Sequence, residues 1–436
     1  MKVLYEMTYA TRVQSGIPRD TKALAQILLS ADGIQSDLVL NPRSFTKRRN
    51  PRTEDLKWTS NELGDALRLE PGRSAIPSVF LSALILLQSF SLIRVVSMLK
   101  LDVMQLKNVF KFLHLTSDSK HESDSNIFLL SISYLARFAR PGFLPPFRIR
   151  TSGYDLFIQQ QADPIQVDKK TPHIVRLHDF LPISHPQYFD QNGVKVFSKS
   201  LRVMLKGSKK IWVMDSSSTA EEFKTYFGDT LDVRVVPCVV KATGIQDATV
   251  KLKKNQICIV NTIEPRKRVS LAIAGFRNAK ERGLLPQDWQ LVIVGNEGWQ
   301  EKALVGNLRK QIFGVDIVFK EGAPDFELES VYAESKIVLS TSAAEGFGLP
   351  PLEGMAYGCL PVLSDIPQHH ETVMDLGLYF KIDTPQEVAK KLGEALEVLS
   401  GKEVEISRRL INHVQKNYSE EVISKKWLDL IKGVKN

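Results

Sequence analysis

Two glutamates with seven residues between them, Glu345 and Glu353, bracket the stretch EGFGLPPLE, which follows the apolar run KIVL (Lys336 to Leu339) and precedes CLPVLSD. An ionised carboxylate accepts two hydrogen bonds side by side, so Glu353 suits a vicinal diol such as ribose, and Glu345 can face a sugar. Gly346 and Gly348 let backbone amides approach a ligand, while Pro350 and Pro351 fit the first turn of a helix, where an amide hydrogen is unpaired anyway. The pattern reads as strand, glycine turn and helix start. It offers an anion site made of free amides and a dipole worth about half a positive charge. A second feature is His178, which follows the apolar run His173 to Leu177 and so stands at the carboxyl edge of a parallel sheet, where open sheets bind ligands. A third is Gly16, a glycine before an amphipathic helix and hence a second candidate phosphate loop, with Arg12 and Arg19 on either side.

These side chains need strands to carry them. In the second half, strands are expected at Gln256 to Val260, Gln290 to Val294, Ile317 to Lys320, Ile337 to Ser340 and Leu360 to Leu363. They alternate with helices near Leu271 to Arg282, Gln300 to Ile312, Glu327 to Glu334, Pro351 to Tyr357 and Glu387 to Leu399, which predicts a doubly wound parallel sheet. The first half gives strands at Lys2 to Tyr9, Asp37 to Leu40, Tyr154 to Ile158, His173 to Leu177, Ile211 to Met214 and Val233 to Val236. Its helices are one with Leu24, Ile27 and Leu28 inward, then Val196 to Lys206 and Ser217 to Phe227, and the polar, basic run Pro237 to Asn255 reads as a linker. A chain of 436 residues suits two domains.

Cys238, Cys258 and Cys359 are scattered and lack metal spacing, which argues against a disulfide framework or a zinc site and points to a reducing cytoplasm. The N-terminal MKVLYEMTYATR lacks the long apolar core of an export signal. Residues 1–150 hold 21 Lys and Arg against 13 Asp and Glu, so most of the net charge of +9 lies in the N-terminal third. No zinc-finger, RNP-like or basic-zipper pattern accompanies it, so nucleic acid is disfavoured and an anionic membrane surface is the better partner. The basic loop Arg43 to Arg52 leads to an apolar stretch, Ile76 to Leu99, interrupted by Gln88, Ser89, Ser91 and Arg94 and so short of the roughly 20 clean apolar residues of a spanning helix. It reads as a buried helix or one lying in a membrane interface; Arg94, Lys100, Lys107 and Lys111 favour the second, and Phe138 to Arg150 interleaves Phe with Arg and Pro.

EGFGLPPLE with CLPVLSD behind it resembles the signature of the retaining glycosyltransferases of family 4, which have the GT-B fold. NTIEPRKRVS, from Asn261 to Ser270, is similar to their donor-binding loop, especially in mannosyltransferase-like members with EPRK, and RLHDFLPISHPQYF resembles the segment with their sugar-contacting histidine. The resemblance implies that Glu353 binds the donor ribose, and that Lys267, helped by Arg266, binds the donor diphosphate together with the amides of Gly346, Phe347, Gly348 and Leu349. It places Gly16 near that diphosphate, and His178 and Glu345 against the sugar. The catalytic group would be His178, Glu345 and Lys267: Lys267, with Arg266 and the amides of Phe347 and Gly348, meets the charge that develops on the leaving diphosphate, while His178 and Glu345 position the sugar. The family's outcome involves same-face attack, so no nucleophile is assigned. Asn261 and Thr262 depart from the Gly-Arg of many members, which removes one cation. No DxD-like pair ends a strand, so no metal is required, and no cofactor is expected beyond the nucleotide-sugar: GDP-mannose first, a UDP- or dTDP-sugar otherwise.

The expectation is therefore an α/β protein of GT-B type, with two Rossmann-like doubly wound parallel-sheet domains facing across a cleft. Residues 1–240 form the acceptor domain with a basic and apolar insertion near 43–150, 241–420 the nucleotide-sugar domain, and 421–436 a C-terminal helix packing back toward the first. The implied activity is transfer of a hexose to a glycan or lipid-linked oligosaccharide in bacterial surface polysaccharide or O-antigen synthesis, at the inner face of the cytoplasmic membrane. Two alternatives stay open, a sugar-nucleotide epimerase of the same fold and a catalytically silent nucleotide-binding scaffold.

Overall fold

The computed structural model describes residues 1–7, 16–40, 98–100, 127–130, 147–149, 151–206, 209–241, 253–310, 312–381 and 384–434. Arg12, the basic loop 43–52 and most of the stretches 76–99 and 138–150 lie outside the described residues. The first half contributes β1 (Lys2–Glu6), α1 (Gly16–Ser30), β2 (Gln35–Leu40), β3 (Met98–Lys100), β4 (Ile127–Leu130), β5 (Phe147–Arg148), β6 (Leu156–Gln159), β7 (Ile165–Gln166) and β8 (His173–Arg176). There follow α2 (Leu181–Ser184), α3 (Gln191–Leu205), β9 (Ile211–Met214), α4 (Ser217–Phe227) and β10 (Asp232–Val235). Eight of these strands form one sheet in the order β10-β9-β8-β6-β1-β2-β4-β3, while β5 and β7 pair separately. All its pairings are parallel except β3 with β4, which is antiparallel. The end of the stretch that the sequence predicts as helical, Met98 to Leu99, is thus an edge strand, because pairing with β4 satisfies its backbone and overrides local preference.

The second half runs β11 (Lys254–Val260), α5 (Val269–Glu281), β12 (Gln290–Gly295), α6 (Lys302–Arg309), β13 (Ile317–Glu321), α7 (Asp325–Glu334), β14 (Ser335–Ser340) and α8 (Leu349–Ala356). It ends with β15 (Leu360–Ser364), α9 (Pro367–Val373), β16 (Leu378–Phe380), α10 (Pro385–Leu399), α11 (Glu403–Tyr418) and α12 (Glu420–Gly433). Its six strands are all parallel, in the order β13-β12-β11-β14-β15-β16. Strand order reverses between β11 and β14, and in the first sheet between β1 and β6. Open α/β sheets bind ligands outside the carboxyl ends at such switch points, because the two flanking loops diverge there and leave a crevice.

α1 turns Leu24, Ile27 and Leu28 onto the first sheet, an i, i+3, i+4 stripe whose burial stabilises by about 1.5–3 kcal/mol per side chain. α12 brings Ile423, Trp427 and Ile431 into that same core beside Val3 and Leu24, so the last helix packs on the first domain. The start of the predicted linker is not free chain. Cys238 and Val240 are buried against Phe347 and Leu410, and the Val240 N–H donates to the Tyr418 carbonyl at 2.9 Å. Among the described residues, no helix is long and apolar enough to cross a membrane.

Candidate functional site

The loops that leave β11 and β14 are sewn together at the second switch point. After β11, Pro265–Lys267 form one 3-10 turn, and Arg268 takes the left-handed φ of 48° to start α5. The Ala343 N–H donates to the Arg266 carbonyl at 2.8 Å, and Thr341 Oγ1 donates to the Lys267 carbonyl at 2.8 Å. This stitching puts two cations on one carboxylate. Lys267 Nζ lies 2.5 Å from Glu345 Oε1, and Arg266 Nη1 lies 2.8 Å from Glu345 Oε2. Arg266 also donates to the Ala344 carbonyl at 2.6 Å and to Glu264 Oε1 at 2.7 Å. Glu345 and Lys267 are both buried. Burial alone pushes the Glu345 carboxyl up, but Lys267 and then Arg266 outweigh it and hold it well below the usual range. Burial and the adjacent Arg266 lower the Lys267 ammonium despite Glu345.

Gly348 sits at φ 88°, a left-handed conformation that favours glycine, and directly precedes α8, whose second residue is Pro350. Pro350 and Pro351 carry no N–H, so the backbone donors at the start of α8 are those of Gly348 and Leu349. Glu345, paired with Lys267 and Arg266, ties this β14–α8 connection to the β11–α5 connection. Gly346 has a different reason from the expected one. A Cβ there would lie 2.6 Å from the His178 carbonyl oxygen and 2.8 Å from the Asp179 Cβ, so it is the other domain's backbone that requires glycine. Its carbonyl accepts from Ser216 Oγ at 2.9 Å and Thr219 Oγ1 at 2.8 Å, both also across the cleft. Phe347 points into the core and meets Tyr418 edge-on at 5.7 Å.

His178, at the end of β8, is buried with both ring nitrogens engaged: Nδ1 to Asp215 Oδ2 at 2.9 Å and Nε2 to Gln160 Oε1 at 3.0 Å. Two acceptors on one ring are satisfied together only by the imidazolium, which donates from both nitrogens. Burial pulls its proton off, but Asp215 and then Asp20 outweigh that and raise its pKa. Arg176, fully buried on the same strand, pairs with Asp215 at 2.8 Å and Asp20 at 3.3 Å and packs over the Trp427 ring. Asp20, His178 and Cys238 bring ligand-type atoms within 4.8 Å of one another. The Arg176 guanidinium, 3.6 Å from Cys238 Sγ and paired with Asp20, already supplies a cation there.

Glu353 faces the cleft from α8, and each of its oxygens is engaged: Oε1 by Arg19 Nη1 at 2.7 Å, Oε2 by the Tyr332 hydroxyl at 2.9 Å. The sequence predicts this carboxylate to be open to a diol; here the first domain reaches over to it through α1. Gly16 begins that helix. Another tie crosses at Glu371, which accepts from the Ser217 N–H at 2.5 Å and from the Ser218 N–H and hydroxyl at 2.7 and 2.6 Å, capping α4 from the opposite domain.

Sequence reasoning missed Asp215, Arg176, Tyr332, Glu371 and His369. Asp215 had a signal, since IWVM ends in Asp at a carboxyl edge just as His173 to Leu177 ends in His178. His369 is buried beside Gly348; its Nδ1–H donates to the Ser364 carbonyl at 2.8 Å, and burial lowers its pKa to about 4 despite that bond.

Residues 241–415 match the family described as glycosyl transferases group 1. The serotype-specific mannosyltransferase WbdA of Escherichia coli is 26% identical over 241 residues, which is 50% of this chain and 29% of WbdA. The O-antigen chain mannosyltransferase B of Escherichia coli is 25% identical over 252 residues, 54% of this chain and 64% of the relative. The chain thus spans less than two thirds of either. Among solved structures, Anabaena Alr3699/HepE in complex with UDP and glucose superposes with a TM-score of 0.60 at 15% identity, covering 99% of this chain and 100% of that one. The fold is GT-B, two Rossmann-like domains with the site residues at the carboxyl edges of both sheets.

Proposed function

We propose that this chain is a retaining glycosyltransferase that moves a hexose, mannose from GDP-mannose, to a glycan or lipid-linked oligosaccharide in O-antigen or related surface-polysaccharide synthesis. The observation that carries the reading is the convergence of Lys267 and Arg266 on one carboxylate, Glu345, beside the glycine turn that starts α8. When the bond from the sugar to the diphosphate breaks, negative charge grows on the phosphate oxygens; fixed cations and amides stabilise that charge without reorganising. Glu345 neutralises the cations in the ligand-free protein and turns to the sugar once the diphosphate takes its place. His178, held as an imidazolium by Asp215, exchanges its Nε2 bond to Gln160 for one to a sugar hydroxyl, and Glu353 accepts from the ribose. The acceptor hydroxyl attacks on the face that the diphosphate leaves, with no covalent enzyme intermediate. The mannosyltransferase relatives and the EPRK turn support mannose and guanine over the alternatives, and the nucleotide-sugar is the sole co-reactant, with no metal required.

The test is transfer from GDP-mannose, UDP-glucose and dTDP-rhamnose to a lipid-linked oligosaccharide acceptor, with the anomer of the product read by NMR. Mannosyl transfer with retained configuration is expected. Inversion would remove the retaining mechanism, and conversion of the donor without any acceptor would favour an epimerase. Glu353→Ala is expected to weaken donor binding by about 1.5–3 kcal/mol through loss of a charged acceptor. We also place the protein at the inner face of the cytoplasmic membrane, on the charge of its N-terminal third; sedimentation with anionic liposomes at low salt is expected, and a protein left wholly in the supernatant would remove that placement.

A further inference from the structure

We infer that Arg19 is a gate on the ribose site: its guanidinium holds Glu353 in the nucleotide-free protein and must let go when a ribonucleotide binds. This rests on Glu353 being the ribose acceptor. Arg19 stands in the first turn of α1 and reaches the other domain at two points, Glu353 Oε1 at 2.7 Å and Asp325 Oδ1 at 2.8 Å. Glu353 and Asp325 raise the Arg19 pKa against the pull of burial. The ties at Gly346 and Glu371 also cross the cleft, but the first uses the Gly346 carbonyl and not the amide assigned to the diphosphate, and Glu371 has no assigned part in donor binding. Of these three ties, the one from Arg19 falls on a carboxylate that the donor needs.

The chemistry is a competition for the approach to Glu353 Oε1 and not for the number of lone pairs, since one site on each oxygen stays open. Glu353 has four lone-pair sites on two oxygens, and Arg19 and Tyr332 each take one. A ribose diol presents two hydroxyls side by side and needs one site on each oxygen with the right direction. Tyr332 can stay, because a phenol hydroxyl approaches from within the same domain. The charged Arg19 approaches from across the cleft, where the sugar ring must lie. Asp325 offers the displaced guanidinium a place to rest, being already its second partner and exposed. Binding a ribonucleotide thereby loosens one contact between α1 and α8 and changes how the first domain sits on the donor.

The test compares ribose with a sugar that lacks the diol. Binding of GDP and 2′,3′-dideoxy-GDP, with UDP and its dideoxy analogue alongside, is measured by calorimetry for the wild type, Arg19→Gln and Arg19→Lys. Removing a partly exposed pair is worth about a two- to fivefold change in affinity. Arg19→Gln is expected to bind the ribonucleotide tighter by that factor and the dideoxy analogue unchanged, with Arg19→Lys in between. Equal ribose preference in wild type and Arg19→Gln, or weaker binding of both nucleotides by the variant, overturns the gate and leaves Glu353 as ribose acceptor. No ribose preference in any form overturns both. Because Arg19 is partly exposed, the melting temperature of each variant serves as a control for folding.

Discussion

Glu345→Gln isolates what one carboxylate does for two buried cations. The substitution keeps shape and removes charge. Lys267 Nζ loses the partner it contacts at 2.5 Å, whereas Arg266 keeps Glu264 at 2.7 Å and the Ala344 carbonyl at 2.6 Å. Leaving a buried charge unpaired costs about 3–5 kcal/mol. Lys267→Met leaves Glu345 with Arg266 at 2.8 Å, so its cost is about 1–3 kcal/mol. Over a unit of 150–250 residues the first loss corresponds to about 6–20 °C in melting temperature. The sign with pH follows from Lys267. Burial and Arg266 already depress it, and without Glu345 its folded pKa falls further below the unfolded value of about 10.4. A depressed lysine destabilises most at low pH and least once it is neutral in both states, so the deficit of Glu345→Gln shrinks as pH rises from 7 toward 10. Pyrophosphate supplies the missing anion and restores more stability to the variant than to the wild type. Thermal melts over that pH range, with and without pyrophosphate, read both effects. A drop under about 2 °C, or equal response to pyrophosphate, would refute the idea that Glu345 stands where the diphosphate acts.

Gly346→Ala forces a Cβ to 2.6 Å from the His178 carbonyl, and backbone on both sides must move; a cost of about 1–3 kcal/mol and a larger radius of gyration by small-angle scattering are expected. His369 has a folded pKa of about 4 against about 6.5 unfolded, so the unfolded chain binds the extra proton, and up to about 3 kcal/mol of stability is lost as pH falls from 6.5 to 4. His369→Gln should flatten urea midpoints across that window. His178 shifts the opposite way: its raised pKa gives stability that is present below about 6.5 and lost as pH rises through the folded value. Its imidazole NMR signals should titrate at a higher pH in the wild type than in Asp215→Asn.

The second domain was legible because its parallel strands are covered on both faces and read as unbroken apolar runs, such as ICIV and LVIV. β16, three residues at the sheet edge, and α9, PQHHETV, carry no such periodicity and were missed. α11 was missed as well, although Leu410, Ile411, Val414 and Tyr418 recur at helical spacing and are buried. The glycine turn and the basic turn were found because each is contiguous in sequence. Their partners were not: Glu353 meets Arg19 334 residues away, and Glu371 caps Ser217 from 154 away. Pairing across the cleft leaves no local pattern. Gly346 shows the same limit, for the residue type was right, while the backbone that demands it comes from the other sheet.

Whether Lys267 and its loop bind a nucleoside diphosphate is read by calorimetry of GDP, UDP, dTDP and ADP against the wild type and Lys267→Ala. One nucleotide, GDP, is expected to bind, and the variant to bind it more weakly by about tenfold or more, with a stabilisation of about 2.7 kcal/mol in the wild type at a hundredfold excess over the dissociation constant. If no nucleotide binds, or if Lys267→Ala binds as well as the wild type, Lys267 does not hold a donor diphosphate.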